Sequence, residues 1–449
     1  MERNFVKRTL NKATDSPPLI LTIGFLILIT IGGLILSTPF VTKTGERTGI
    51  IDAFFVAASA SCVTGLSPVN TAEHWNTLGQ VVILILIQIG GLGIMTLASF
   101  IPLILGKKIG LKSRLILKEQ LNIDTMVGVV NLFKYVLGFT IITELIGAAL
   151  LSIRFIPTYG LGRGIWFSVF HSISAFCNAG FDLLGDSIYP LRHDYLVNIT
   201  LMALVIIGGL GFMVTSEIYS KRDLKHLSTH SKLVFITNIG LILVGALGFY
   251  FLESIKGGIL AGERFSDGML ISFFQSVSAR TAGFYSVDLS KIRDSSAIML
   301  IMLMFVGGSP GSTAGGIKTT TFVVILIAIL SVIRNQKEPV VFKRRISNET
   351  IKKALSIFMI SLFLLIIVSF TLSVIEDFAF IDILYETSSA LGTVGATKGI
   401  TSELSRASKV IIGLCMYLGR IGPMTMALSF GLRSDDRLIR YPEGFISIG

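Results

Sequence analysis

Charged side chains are scarce in this sequence: Asp, Glu, Lys and Arg make up 15% of its 449 residues, against about 25% in soluble domains. An ordinary water-soluble globule is thereby excluded. Cysteine is scarcer, with only Cys62, Cys177 and Cys415. All three lie in apolar surroundings without metal-ligand spacing, which excludes a zinc cluster and reads as buried, inert thiols. Enzyme signatures are missing as well. Gly307-Gly308-Ser309-Pro310-Gly311 fits G-x-S-x-G, but a nucleophile elbow needs a strand-to-helix turn, and both flanks here are long apolar runs. The stretch continues to Gly316-Ile317-Lys318, where a phosphate-binding loop ends in Gly-Lys-Ser/Thr. No dinucleotide fingerprint occurs, so the chain is read as a non-enzyme that carries no cofactor.

Apolar length is what the sequence has in abundance, with 52% hydrophobic residues and a mean hydropathy of +0.76. Runs near the roughly 20 residues that span a bilayer fall at 18–40, 76–105, 128–153, 195–220, 230–253, 295–333, 350–375 and 407–430. The expectation is an all-α membrane protein with eight transmembrane helices. The first run follows Arg3, Lys7, Arg8 and Lys12 and lacks the short core and small-residue cleavage site of a secretory signal, so it is expected to be retained as a span. The net charge of +11 does not indicate nucleic acid, because the basic residues cluster between apolar runs. They occupy the N-terminus, 106–114, 220–226, 334–345 and the tail at Arg433, Arg437 and Arg440. Every second inter-span loop carries such a cluster, which by the positive-inside rule puts both termini in the cytoplasm of a multi-pass, lipid-embedded plasma-membrane protein.

Between the two spans of each pair lies a shorter apolar stretch: IDAFFVAASASCVTGL from Ile51, GIWFSVFHSISAFCNAGF from Gly164, MLISFFQSVSARTAGF from Met269 and IDILYETSSALGTVGA from Ile381. Each holds about 11–14 helix-like residues, enough to enter a bilayer without crossing it. Alignment on Gly65, Gly180, Gly283 and Gly395 brings Phe55, Phe170, Phe273 and Tyr385 into register ten residues earlier, and Gly90, Gly208, Gly307 and Gly419 into register 24 to 28 residues later. A shared order of aromatic, small or hydroxyl residues, glycine, span and glycine marks an internal four-fold repeat. The repeats divide the chain at 1–110, 111–225, 226–345 and 346–449, the last including the tail. Each unit is a span, a re-entrant half-helix and a second span, so all four are parallel, unlike the inverted repeats of many alternating-access transporters. Arranged about a pseudo-four-fold axis, they form the plan of a central pore.

Non-helical backbone at membrane depth is tolerated only where protein or water surrounds it. Val63-Thr64-Gly65, Asn178-Ala179-Gly180, Thr281-Ala282-Gly283 and Thr393-Val394-Gly395 are read as such segments, whose carbonyls could replace the hydration shell of a monovalent cation. No carboxylate ring accompanies them, which argues against a divalent-selective site; potassium at this filter is the only metal expected. Each half-helix precedes its segment and so presents its negative C-terminal end to the filter, favouring cations. Asp52 and Asp382 stand at half-helix starts and are read as N-caps in preference to charges that attract the ion.

These residues resemble the Trk/Ktr/HKT superfamily of potassium transporters, specifically its Ktr-type membrane subunits, over essentially the whole chain to the closing IGPMT and RYPEG. The resemblance implies a potassium-uptake subunit with channel-like conduction and sodium as a stimulating ion. Glycine at all four filter positions goes with potassium in this family, whereas sodium-preferring relatives carry Ser at the first. It implies further that the break Gly307, Gly308, Ser309, Pro310, Gly311, Ser312, Thr313, Ala314, Gly315 and Gly316 is an intramembrane gate beneath the filter. A homodimer resting on a cytoplasmic ring of nucleotide-binding RCK-type subunits is implied too, with Lys107 to Arg114 and Lys221 to His226 as candidate contacts. The other class of function left open is a sodium- or proton-coupled secondary transporter working by alternating access.

Isolated polar residues in the apolar runs complete the expectations. Arg420, at the depth of the gate in the fourth repeat, is expected to contact the gate loop, because an intramembrane charge is costly and usually functional. Arg280 is read as a strut on Glu386 or on backbone carbonyls, and Glu144 as paired with a basic or hydroxyl group. His171 is read as hydrogen-bonded packing. For Lys318, snorkelling and gating both stay open.

Overall fold

The structure, a computed structural model, describes residues 17–93, 115, 129–223, 225–336 and 338–422. The end of the expected run 76–105 from 94, the basic segment 106–114 with its proposed contacts, the N-terminal basic residues, and everything from 423 onward, which includes the end of the expected run 407–430 and the tail, lie outside the described residues.

Helices form where the apolar runs stand: α1 (Pro17–Leu36), α2 (Ile50–Cys62), α3 (Thr77–Leu92), α4 (Val129–Tyr159), α5 (Leu161–Phe176), α6 (Tyr195–Gly209) and α7 (Phe212–Lys221). They continue as α8 (Thr229–Ser254), α9 (Phe265–Ser278), α10 (Asp294–Phe305), α11 (Thr319–Ile333), α12 (Asn348–Ile375), α13 (Phe380–Gly392) and α14 (Arg406–Ile421). By length and hydropathy α1, α4, α8 and α12 can each cross a membrane alone, and α6 with α7 form a bent pair that passes together. Their outward faces are apolar, as at Phe363, Phe370 and Val374 of α12, all more than 60% exposed. Such surface is expected of a helix facing lipid.

The sequence explains where these helices begin. Asn76, Asp194, Ser228, Ser347 and Ser405 accept a backbone N–H of the first turn of α3, α6, α8, α12 and α14, filling donors that have no partner within the helix. The short helices α2, α5, α9 and α13 start differently, from Gly49, Gly160, Arg264 and Ala379, with no side-chain cap. The capping role expected of Asp52 and Asp382 is therefore corrected. Both carboxylates lie inside the first turn and pair with Lys409 at 2.9 Å and Lys398 at 2.5 Å, where the positive helix end also favours them.

Packing follows a cyclic order. Helix α3 lies on α5, α6 on α9, α10 on α13, and α14 returns to α2. Each second apolar segment thus supports the short helix of the next copy, and the last supports the first. Gly91 serves that approach, since a Cβ there would meet Cys177 of the next copy at 2.8 Å, whereas Gly90, Gly208 and Gly419 let each segment lie on the short helix of its own copy: a Cβ there would run into the carbonyl of Ser61, Phe176 or Leu391, each four residues before an aligned glycine. Gly307 differs, since its Cβ would meet Gly315 of the loop that replaces the helix there.

One expectation fails. The run 195–220 is not continuous, because α6 and α7 meet at 96° across Leu210 and Gly211, and Gly211 has φ +96°. The break at 307–316 is consequently not unique. Helices α3 and α14 also end at a glycine three residues after the aligned one, Gly93 (φ +86°) and Gly422 (φ +87°). A left-handed glycine ends a helix at no steric cost, and the same residue recurs in three copies.

Gly90→Ala and Gly419→Ala are expected to destabilise the protein by about 1–3 kcal/mol each, the range for forcing a methyl into filled space. Gly138→Ala, whose Cβ meets nothing within 4 Å, is expected to be neutral or slightly stabilising. Thermal midpoints of the three purified variants in detergent check this contrast.

Candidate functional site: a ring of four glycines

The short helices end at Cys62, Phe176, Ser278 and Gly392, and the chain leaves each through a left-handed residue: Val63 (φ 57°), Asn178 (φ 60°), Thr281 (φ 69°) and Thr393 (φ 51°). Three of these are not residues that favour this region, so the surroundings must hold them there. Gly65, Gly180, Gly283 and Gly395 then follow at φ between +69° and +103°. A Cβ on Gly65 would stand 2.6 Å from the carbonyl oxygen of Ala179, and one on Gly180 would stand 2.7 Å from that of Ala282. One on Gly283 would strike the Val394 carbonyl, and one on Gly395 would strike that of Thr64. The contacts run from the first segment to the second, third, fourth and back, so four backbone segments close into a ring.

Serines on the short helices fasten the ring. Gly65 and Gly395 donate their N–H groups to Ser59 Oγ and Ser389 Oγ, both at 3.0 Å. Ser174 Oγ donates to the Phe181 carbonyl at 2.7 Å, and Ser278 Oγ donates to that of Phe284. Copies one and four are thus held at the glycine nitrogen, copies two and three at the following carbonyl. The serines were not singled out from sequence, yet a signal existed, since three stand six residues before the glycine and Ser278 stands five before. Deeper polar residues anchor the chain beyond the ring: His171 Nε2 accepts from Leu183 N–H at 3.4 Å, Gln275 donates to Ser286 at 3.2 Å, and Glu386 accepts from Thr397 and Thr401 at 2.7 and 2.5 Å.

Residues 306–318 form a largely buried loop between α10 and α11, and its middle is tied to other copies. Ser309 and Thr313 donate their N–H groups to the Gly209 and Gly208 carbonyls at 3.0 and 3.2 Å, and Phe212 N–H donates to the Gly311 carbonyl at 2.8 Å. The bend between α6 and α7 therefore supplies the groups the loop needs. Arg420 donates to the Thr313 carbonyl and to those of Gly90 and Gly91, the latter two at 2.5 and 3.0 Å. It joins the loop, the end of α3 and the end of α14.

A sequence profile described as "TrkH: Cation transport protein" matches residues 12–441. The chain belongs to this family. It is 44% identical to Ktr system potassium uptake protein B of Bacillus subtilis, with 97% of both chains covered, and 41% identical to the potassium/sodium uptake protein NtpJ of Enterococcus hirae, again with 97% of both. Identity to Ktr system potassium uptake protein B of Vibrio alginolyticus is 38%, covering 98% of this chain and 96% of that one. The crystal structure of the potassium transporter TrkH from Vibrio parahaemolyticus has the same fold, with a TM-score of 0.73 at 17% identity, covering 92% of this chain and 84% of that one.

Within this TrkH-family fold Arg280, Glu144, Lys318 and His171 each have a hydrogen-bond partner. Arg280 does not pair with Glu386, which is occupied by the two threonines; its guanidinium reaches the Gly307 carbonyl at 3.4 Å, so the carbonyl alternative is the observed one. Glu144 accepts from Gln88 Nε2 at 3.0 Å, an amide rather than the basic or hydroxyl partner expected. Lys318 Nζ folds back onto the carbonyls of Ala314 and Gly315 at 2.8 and 3.5 Å. His171 also meets the Phe167 carbonyl at 2.7 Å and is hydrogen-bonded packing. Cys62, Cys177 and Cys415 are free and buried.

Removing the Arg420 guanidinium leaves three carbonyls without their donor. Arg420→Gln is expected to lower stability by about 2–4 kcal/mol, from the loss of charge-assisted hydrogen bonds. Arg420→Lys should recover only part, because one ammonium lacks the planar fork that spans separate acceptors. Ligand-free thermal unfolding in detergent measures both.

Proposed function

We propose that the glycine ring is the selectivity filter of a potassium-uptake pore and that residues 306–318 are its gate. The observation that carries this reading is the closed ring: four backbone segments meet with no intervening side chain, each at the negative end of a short helix. Carbonyl oxygens so arranged replace water around a weakly hydrated monovalent cation, and the helix ends favour positive charge. Buried hydroxyls of Thr64 and Thr393 have no hydrogen-bond partner among the described residues and add oxygens to the filter segments. The names of the relatives, two potassium uptake proteins and a potassium/sodium uptake protein, agree with the ion.

In this reading the chain spans the plasma membrane eight times with both termini inside, and ions flow inward down the membrane potential. The loop beneath the ring closes the path until a cytoplasmic partner moves it. The name Ktr system, borne by relatives, fits a membrane subunit that works with a second chain, and we assign that role to an RCK-type nucleotide-binding ring under a homodimer of this subunit. Sodium acts as a stimulating ion.

The experiment is tracer rubidium uptake into liposomes holding the purified chain, driven by a potassium gradient. Block by external potassium with little effect of sodium is expected; equal block by both would overturn the filter. Gly65→Ser is expected to reduce potassium-over-sodium discrimination by about tenfold or more, since its Cβ would press on the Ala179 carbonyl and a shift of about 1.4 kcal/mol between ions is a factor of ten. Competition of each ion against rubidium measures it.

A shortened loop lacking Pro310 to Ser312 is expected to raise uptake by the chain alone. Lowered uptake in a correctly inserted protein would contradict the gate.

A further inference from the structure

The side chain of Asn178 occupies a position that the backbone chemistry of a filter does not require. Its φ of 60° belongs to the second filter segment, and the side chain is buried. Nδ2 donates to Thr281 Oγ1 in the third filter segment at 3.5 Å, while Oδ1 accepts from Thr313 Oγ1 in the loop at 3.0 Å. Thr313 is in turn tethered at every polar group it carries. Its N–H is on Gly208, its hydroxyl is shared between Asn178 and the Phe176 carbonyl at 3.1 Å, and its own carbonyl takes Arg420. Ser312, the adjacent hydroxyl, reaches only Ser309 within the loop.

We infer that Asn178 is a specificity-determining positioning residue, whose amide transmits the position of Thr313 to filter segments two and three, so that ion discrimination depends on the loop. This rests on the filter reading above. An amide is suited to the task because it donates and accepts at once: with the loop seated, both ends are fixed and the Thr281 segment is held at its ring distance. When Thr313 leaves, the amide oxygen loses the donor that orients it. The Nδ2 contact to Thr281, already long, is then free to lapse. Asymmetry follows from the sequence, because the equivalent left-handed positions are Val63, Thr281 and Thr393, none of which carries an amide.

The test measures equilibrium ion binding, which needs no open gate: the rise in thermal midpoint of the full-length chain in detergent, titrated separately with potassium and sodium chloride, since a ligand that binds the folded state raises the midpoint with concentration. Thr313→Val is expected to reduce the potassium-to-sodium affinity ratio by about threefold to tenfold, the range that one buried hydrogen bond supports. Thr313→Ser should restore it, and Ser312→Ala should leave it unchanged. Asn178→Gly, which keeps the left-handed backbone, should reduce the ratio equally, and the double variant should show no further loss, as expected of residues acting through one contact. A preserved ratio in Thr313→Val, or effects of the two single variants that multiply in the double, would overturn the inference. If either Asn178→Gly or the double variant does not fold, the Thr313→Val and Thr313→Ser pair decides alone. A wild-type chain without any potassium preference would instead overturn the filter reading itself.

Discussion

The fold is governed by one constraint: backbone that leaves helical geometry inside a membrane must find partners for its polar groups within the protein. Four short helices whose C-terminal ends are buried in the protein create that problem at four points. The solution lies in the close approach of the chain to itself, at glycines where a single methyl group would collide with a carbonyl. Serine hydroxyls one to two turns back take up groups at the helix ends. The ring is therefore a consequence of satisfying backbone in a confined space, and its chemistry follows from the carbonyls that remain.

The same constraint explains why the loop at 306–318 is bound to the bend between α6 and α7. A helix broken at Gly211 leaves the carbonyls of Gly208 and Gly209 without intrahelical donors, and a loop without helical bonds has spare N–H groups. Each supplies what the other lacks. Arg420 does similar work from the opposite side, its planar fork covering carbonyls at the end of α3 and in the loop. A loop held through hydrogen bonds rather than apolar packing can be released by supplying other partners, such as water, and this is compatible with the gate proposed above.

Much of this was legible in the sequence because it recurs. The aligned glycines, the short apolar stretches that cannot cross a bilayer, the glycine-rich interruption and the intramembrane arginine are all visible as departures from an otherwise uniform apolar text. The bend after α6 was not, although Ile89 to Gly93 and Ile207 to Gly211 are the same five residues, IGGLG. A glycine inside an apolar run costs a helix only about 1 kcal/mol, too little to separate a continuous span from a broken one. What decides is the partner waiting for the freed carbonyls, and that partner lies about 100 residues away in the chain. The roles expected of Asp52 and Asp382 failed for a related reason: a carboxylate near a helix start reads as a cap until the lysine that claims it, Lys409 or Lys398, is brought alongside by the fold.

Pseudo-symmetry also has limits that matter for function. The backbone ring is nearly four-fold, but its fastening is of two kinds, with glycine N–H groups held in the adjacent copies one and four and the next carbonyl held in copies two and three. The third copy replaces a helix by a loop, and the second supplies the bend and the amide that receive it. A chain of identical subunits cannot make such assignments, because every change would appear four times. Four repeats within one chain let a single segment differ beside a nearly symmetric ring, held by Arg420, Arg280 and a single bend. The uneven distribution of polar residues among the copies is thus the feature that gives a nearly symmetric ring one side unlike the others.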